Sequence, residues 1–275
     1  MQRKLFCEIS PFTYKISTGK QILIRKLKNL QNKNVFASQI STDRLPVTVY
    51  KHNSLIRRKL GIVNLLLQEN KAINLSIAAP KINGIIIKPN EIFSFWQLVL
   101  RCGVKDGYKE GLIIAGGVPS SGVGGGLCQL TNLIHWLVLH SPLTIIEHHH
   151  HDGVDLFPDY NRQVPFGVGT SICYNYLDYR LKNNTDLTYQ LVTYVKGQYL
   201  CGQLLCDKEQ ESSYHITVQN EYFYPQDEFF YRHNEVYRKQ IDKVTGNCVN
   251  DELIMKNNAK VMYDNALIDG EKIRL

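Results

Sequence analysis

Apolar residues recur at close to helical spacing from Leu55 to Ala79, at Leu55, Ile56, Leu60, Val63, Leu66, Leu67, Ile73 and Ile77, and Pro80 supplies a stop. This spacing predicts a helix. A second helix is predicted over Cys128–His140, where Leu130, Leu133, Ile134, Trp136, Leu137, Val138 and Leu139 leave almost no polar face. A helix apolar nearly all round belongs in the middle of a fold. Between the two, "NGIIIKPNEIFSFW" predicts a buried strand bracketed by turns and followed by another apolar piece. "GLIIAGGVPSSGVGGG" predicts a short buried strand running into a long Gly/Ser loop.

Further along, the pattern turns strand-like. "LTIIEHHHH" predicts a strand up to Glu147, followed by an irregular stretch to Phe166. "GVGTSICYNYLDYRLKN" and "TYQLVTYVKGQYLCGQLL" read as β, with Asn183-Asn184 as the turn between them and "KGQY" as a hairpin turn. The tail, 212–264, carries β-like pieces around "YHITVQNEYFY" and "EVYRKQI", with "VTGNC" as a hairpin signal. Before residue 50 short basic and apolar pieces alternate, and the one element predicted there is a basic helix around Lys20–Leu30. Helices early and strands late give an α+β fold, with a buried central helix that starts at the Gly-Gly-Gly-Leu-Cys-Gln turn and packs on a mainly antiparallel sheet. Three regions are expected: a basic N-terminal segment, 1–54, a central domain, 55–208, and a β-rich C-terminal extension, 209–275.

Composition narrows the class. A hydrophobic content of 44% in 275 residues supports a sizeable core and excludes a disordered chain. The net charge of +7 is concentrated at the start, where residues 1–60 carry thirteen Lys/Arg against Glu8 and Asp43. That segment reads either as a solvated surface or as a peripheral contact with anionic membrane. Nucleic acid is not expected, because the basic residues are not interleaved with aromatic ones. The N-terminus lacks the apolar core of a signal peptide, and no run of 18 apolar residues occurs. The seven cysteines are scattered, without disulfide-scaffold spacing. The expectation is a cytoplasmic protein with free thiols, at most peripheral to the inner face of the membrane, and without a cofactor.

The candidate chemistry sits at "GVGGGLCQ". A cysteine in the first turn of a helix meets unpaired backbone N–H groups and the positive dipole end, both of which favour thiolate. The glycines let the chain turn sharply and let a substrate approach the backbone. Gln129 adds a donor beside the sulfur, and local N–H groups are suited to an oxyanion. The competing structural reading is a glycine loop before a buried helix with a buried cysteine. As base, His149 or His151 shares one strand face with Glu147, which is placed to orient an imidazole. His135 reads as a core residue. The same groups, Cys128, His149 and His151, form a weaker Zn²⁺ reading, but consecutive histidines cannot all bind one ion, and no metal is expected. The glycine loop lacks the lysine of a phosphate cradle.

Taken in order, "NGIIIKPNEIFSFWQLV", "DGYKEGLIIAGG", "GGGLCQLTNLIHWLVLHSPLTIIEHHHH" and "LKNNTD" resemble the VanW family, from about Leu55 to Lys208. The family is found in the vancomycin B-type resistance gene cluster and in many other bacterial proteins. The matching positions are Pro89, Glu91, Phe93, Ser94 and Phe95, then Gly107, Tyr108 and Gly111, then Gly124, Gly125, Gly126, Cys128 and Gln129, then Glu147, His149 and His151, and Asn183. The resemblance implies a role in glycopeptide resistance or cell-wall metabolism without supplying a reaction. Cys128, His149, His151, Gln129 and Glu147 become the candidate catalytic set. Gly124, Gly125 and Gly126, with Phe95 and Tyr108, become the candidate ligand contacts.

Two departures stand out. His148 takes the place of an arginine in the family's Glu-Arg-His-x-His, and Gly169 stands where the family carries an Asp. If that Asp orients a catalytic histidine, either Asp155 or Glu147 replaces it here or the site is inactive. The order Cys, His, Asp is that of papain- and transglutaminase-like folds, a fold-level analogy. Two main readings result. One is cysteine-dependent acyl transfer on a peptide or wall precursor. The other is a non-catalytic module that binds the same class of ligand.

Overall fold

The structure, a computed structural model, describes residues 5–31, 35–57, 65–115, 118–150, 153–156, 158–159 and 163–274. Helix α1 (Pro11–Gln31) precedes β1 (Val47–Leu55) and α2 (Leu65–Ala78). Short pieces follow, β2 (Ile85–Ile87), β3 (Ile92–Ser94) and α3 (Phe95–Val99), then the hairpin β4 (Glu110–Ala115) and β5 (Val118–Val123). Helix α4 (Cys128–Leu139) leads into β6 (Thr144–Glu147), β7 (Val154–Asp155) and β8 (Arg180–Lys182). The chain ends in five longer strands, β9 (Tyr189–Lys196), β10 (Tyr199–Cys206), β11 (Ser212–Gln226), β12 (Phe229–Asp242) and β13 (Cys248–Val261).

The class is α+β. One antiparallel sheet has the order β1-β10-β9-β2, and a smaller one β3-β8-β6. Helix α4 packs on β10 and β1. Its approach is close enough that a Cβ at Gly202 of β10 would lie 2.8 Å from Leu133 Cδ2 and 3.0 Å from Leu137 Cδ1. Glycine at 202 therefore lets the helix settle on the strand. The C-terminal strands form a third sheet, β11-β12-β13-β7, with β7 parallel to β13. Val236, Ile216, Ile254 and Met255 of that sheet close over Trp136 and Leu139, on the side of α4 that the first sheet leaves open. With apolar neighbours on both sides, α4 is buried along most of its surface, as its sequence required, and only Cys128, Gln129 and Asn132 at its start are partly exposed.

Three expectations need correction. Leu55 closes β1, paired with Tyr199, and is not part of a helix; α2 is described from Leu65, and 58–64 fall outside the described residues. The Gly/Ser stretch after β4 is strand β5, paired with β4 from Glu110–Val123 to Ala115–Val118. Most of 169–179 is not β: it holds one isolated bridge, Cys173–Leu177, and only Arg180–Lys182 forms a strand. Asp178, fully buried, organises this turn by accepting from Ser94 Oγ (2.5 Å), Trp96 N (3.1 Å) and Arg180 Nε (2.7 Å).

Candidate functional site

The turn into α4 is built from close backbone contacts. Gly124 and Gly126 have φ of 78° and 88°, a region that favours glycine. A Cβ on Gly125 would fall 2.1 Å from Gly111 O, and one on Gly111 would fall 2.4 Å from Gly125 O. Asn74 of α2 clamps the pair, donating from Nδ2 to Gly125 O (2.9 Å) and Lys109 O (3.0 Å) and accepting from Lys109 N (2.8 Å). The glycines are thus required by chain packing. Only Gly126, whose Cβ would meet Lys71 Cγ at 2.3 Å, also reaches the adjacent cavity. Gly124 and Gly125, expected as ligand contacts, instead hold the turn. Phe95 and Tyr108, expected beside them, are fully buried in the main core and do not line the cavity.

That cavity measures about 320 Å³, within the range of small-ligand sites. Leu67, Leu112, Ile114 and Leu133 give it apolar walls, and Cys128, Asn132, Lys71, His52 and His150 bring polar groups to it. Cys128 opens α4 and is half-buried. Burial pushes its thiol up, and hydrogen bonds to the sulfur from the backbone N–H groups of Ile172 and of Cys128 itself offset this only in part. The net direction is thus upward, opposite to the one expected of a cysteine at a helix start. Gln129, on the cavity wall, spends its side-chain amide N–H groups on Ser54 Oγ (2.8 Å) and Leu55 O (2.9 Å), which tie α4 to β1. As an oxyanion donor, the role expected of it, this amide would first have to leave those two acceptors. Asn132 Oδ1 accepts from Thr170 N (2.6 Å) and Thr170 Oγ1 (2.8 Å), fixing the opposite lip.

The histidines separate. The strand ends at Glu147, so the alternation expected through the four-histidine run stops there. His149 Nε2 lies 3.0 Å from Glu147 Oε1, and neither residue lines the cavity. Burial alone would raise the Glu147 carboxyl. Hydrogen bonds from Arg25, the Asp178 N–H and His149 overcome it and hold the group below the usual carboxylate range. Arg25 is bidentate to Glu147, at 2.5 and 2.6 Å. His148 stacks on His135 (centroids 4.4 Å apart, planes 9° apart) and donates from Nε2 to Gly169 O (2.8 Å). His151 lies outside the described residues. Among the described histidines of the run, His150 is the one that lines the cavity with Cys128. Its Nε2 is 3.7 Å from where a Cβ on Gly169 would stand.

Asp155, one of the two substitutes considered for the absent Asp, also lines the cavity, but it is bound to Arg232 Nη1 (3.3 Å) and Tyr263 Oη (3.2 Å). Sequence reasoning missed His52, because β1 was not foreseen, and His150, because strand alternation pointed it to the wrong face. It missed Lys71 and Asn132 because single polar residues on apolar helices carry no motif. Among the described residues no group of three His, Cys, Asp or Glu side chains is placed to hold a metal ion.

A family model described as "VanW like protein" matches residues 70–205. The chain is 33% identical over 228 residues to the vancomycin B-type resistance protein VanW of Enterococcus faecalis (strain ATCC 700802 / V583), across 83% of this chain and 82% of that protein. It is 31% identical over 118 residues to the uncharacterized protein YoaR of Bacillus subtilis (strain 168), across 42% of this chain and 36% of that one. No solved structure matches the chain, so the papain- and transglutaminase-like analogy rests on chain order alone.

Proposed function

The chain belongs to the VanW family, and from that premise we propose that it acts in glycopeptide resistance or cell-wall metabolism by binding a peptide-like wall precursor in the cavity beside Cys128. The observation that carries this reading is the place of Cys128 in the wall of an apolar-walled cavity, while the neighbouring Gln129 amide is engaged with β1. A neutral thiol is a poor nucleophile and a good small apolar contact. Lys71 and His150 supply cationic and hydrogen-bonding groups to a ligand's carboxylate and amides. A second reading, cysteine-dependent acyl transfer, is favoured by one observation: Cys128 and His150 line the same cavity, so the base would be His150 and not His149.

Two measurements separate them. The iodoacetamide rate of Cys128, followed against pH, is expected to rise with a midpoint above about 8.5. Binding of a soluble muramyl peptide, followed by calorimetry, is expected to survive Cys128→Ser within roughly threefold, less than the tenfold that about 1.4 kcal/mol represents. A midpoint below about 7, together with turnover of the peptide lost in Cys128→Ser, establishes the enzyme reading and removes the binding one.

A further inference from the structure

Helix α1 is docked by its polar side. Arg25 reaches Glu147 and Tyr176 O (3.1 Å), and Arg180 Nη1 donates to Asn29 Oδ1 (3.0 Å). At 100° per residue, positions 12, 16, 23, 27 and 30 fall within about 60° of one another on the opposite side. They are Phe12, Ile16, Leu23, Leu27 and Leu30, exposed by 71%, 46%, 59%, 50% and 81%. Just upstream, Leu5, Phe6 and Ile9 are exposed as well. A folded domain ordinarily turns such a stripe inward, and here it faces out.

The charges decide what covers it. Residues 11–31 contain Lys15, Lys20, Arg25, Lys26 and Lys28 and no acid. On the helical wheel Lys20 borders one edge of the stripe, and Lys15 and Lys26 border the other. A second copy meeting this face isologously would bring like charges together. An anionic lipid surface meets both features at once, since acyl chains take the leucines and headgroups take the lysines, whose stems extend along the boundary. No helix among the described residues is long and apolar enough to cross a membrane, so α1 would lie in the plane.

We propose that α1 is a membrane-surface helix that docks the protein on anionic lipid through Phe12, Ile16, Leu23, Leu27 and Leu30, with Lys15, Lys20 and Lys26 as the electrostatic border. The reading does not depend on what the cavity binds. The full chain is sedimented with phosphatidylcholine vesicles, with and without about 30% phosphatidylglycerol. The expected result is partitioning at least about tenfold stronger on the anionic vesicles, weakened by raised salt. The double variant Leu23→Asp/Leu27→Asp is expected to lose that binding with its urea midpoint unchanged, because both positions are exposed. Lys15→Gln/Lys20→Gln/Lys26→Gln is expected to remove the preference for anionic lipid. Equal binding to both vesicles, no binding by the unaltered chain, or binding retained in the leucine variant overturns the proposal. So does a concentration-dependent dimer that the leucine variant abolishes, which would assign the face to a second copy.

Discussion

Gly169, where the resemblance implies an Asp, faces a single histidine. Its backbone is outside the left-handed region, and an added Cβ would meet nothing closer than His150 Nε2 at 3.7 Å and Cδ2 at 3.8 Å. A Cβ therefore fits there in ordinary contact, and a carboxylate carried on it would lie beside the imidazole. Opposite charge at that range favours the protonated ring. Gly169→Asp is expected to raise the His150 pKa by about one to two units over its value in the unaltered protein. A proton–carbon NMR titration of the histidine Cε1 signals, with His150→Gln to assign the resonance, reads the shift directly. A change below about 0.3 unit would mean that the two side chains do not meet, far short of what a contacting carboxylate produces. The same geometry says which residues near the cysteine were legible in advance. The place of Cys128 at the start of α4 was, because the glycines before it and the apolar run after it fix where the helix begins. His150 was not, because its role depends on where a strand stops, and no residue in "EHHHH" marks the end of β6.

At the scale of elements, α4 was the most readable part of the chain, since an apolar surface on every side has one physical solution. Strand β1 was the least, because its nine residues lie at the edge of the first sheet with a mixed burial pattern and several polar side chains. Strand β5 carries Pro119, Ser120, Ser121 and Gly122 and is a strand only because β4 pairs with it. Helix α4 also carries a pH dependence. Burial keeps His135 well below the usual histidine range, and the nearby His148, His150 and Arg238 push it the same way. Burial lowers His140 at the helix end to about 4, against a smaller raising effect of its hydrogen bond to Trp136 O (2.8 Å). Both folded-state values lie below the unfolded one, so acid is taken up first by the unfolded chain. Above about pH 6.5 both states are neutral at these rings and their contribution is complete. As pH falls from about 6.5 towards 4, stability is lost with a limiting slope of about 1.4 kcal/mol per pH unit for each histidine. Urea midpoints at several pH values in that window measure the slope, and His140→Phe, which keeps the stack on Tyr50, is expected to flatten it. An unchanged slope in that variant would mean that His140 titrates normally. The loss of Glu147 comes lower, since its carboxyl titrates below the usual range.

At the scale of the whole molecule, the C-terminal strands contact residues that line the cavity, although none of their own side chains lines it, which their place as a β-rich extension did not reveal. The link is Arg232 on β12, with its side chain 2% exposed. It binds Asp155, whose own strand β7 pairs with β13, and also Asp159 and Glu221, and Lys272 holds Glu221 from the far end at 2.6 Å. Its guanidinium lies 4.5 Å from the Phe166 ring centroid and 5.2 Å from that of Phe223. Asp155 and Phe166 both line the cavity, so one buried cation joins the C-terminal sheet to the cavity wall. Removing one partner of such a group strands the other charges, which costs more than the pairing itself contributes. Arg232→Met preserves much of the volume and the ring contacts, and is expected to lower unfolding free energy by about 3–5 kcal/mol. Adding Asp155→Asn removes one stranded charge, so the double variant is expected to recover at least about 1 kcal/mol relative to Arg232→Met alone. Urea unfolding of the four proteins in this cycle gives the coupling. A single-variant loss under about 1 kcal/mol, or a double variant less stable than the sum of the two singles, would show that Arg232 is held at this junction by its packing against Phe166 and Phe223 and not by its charge.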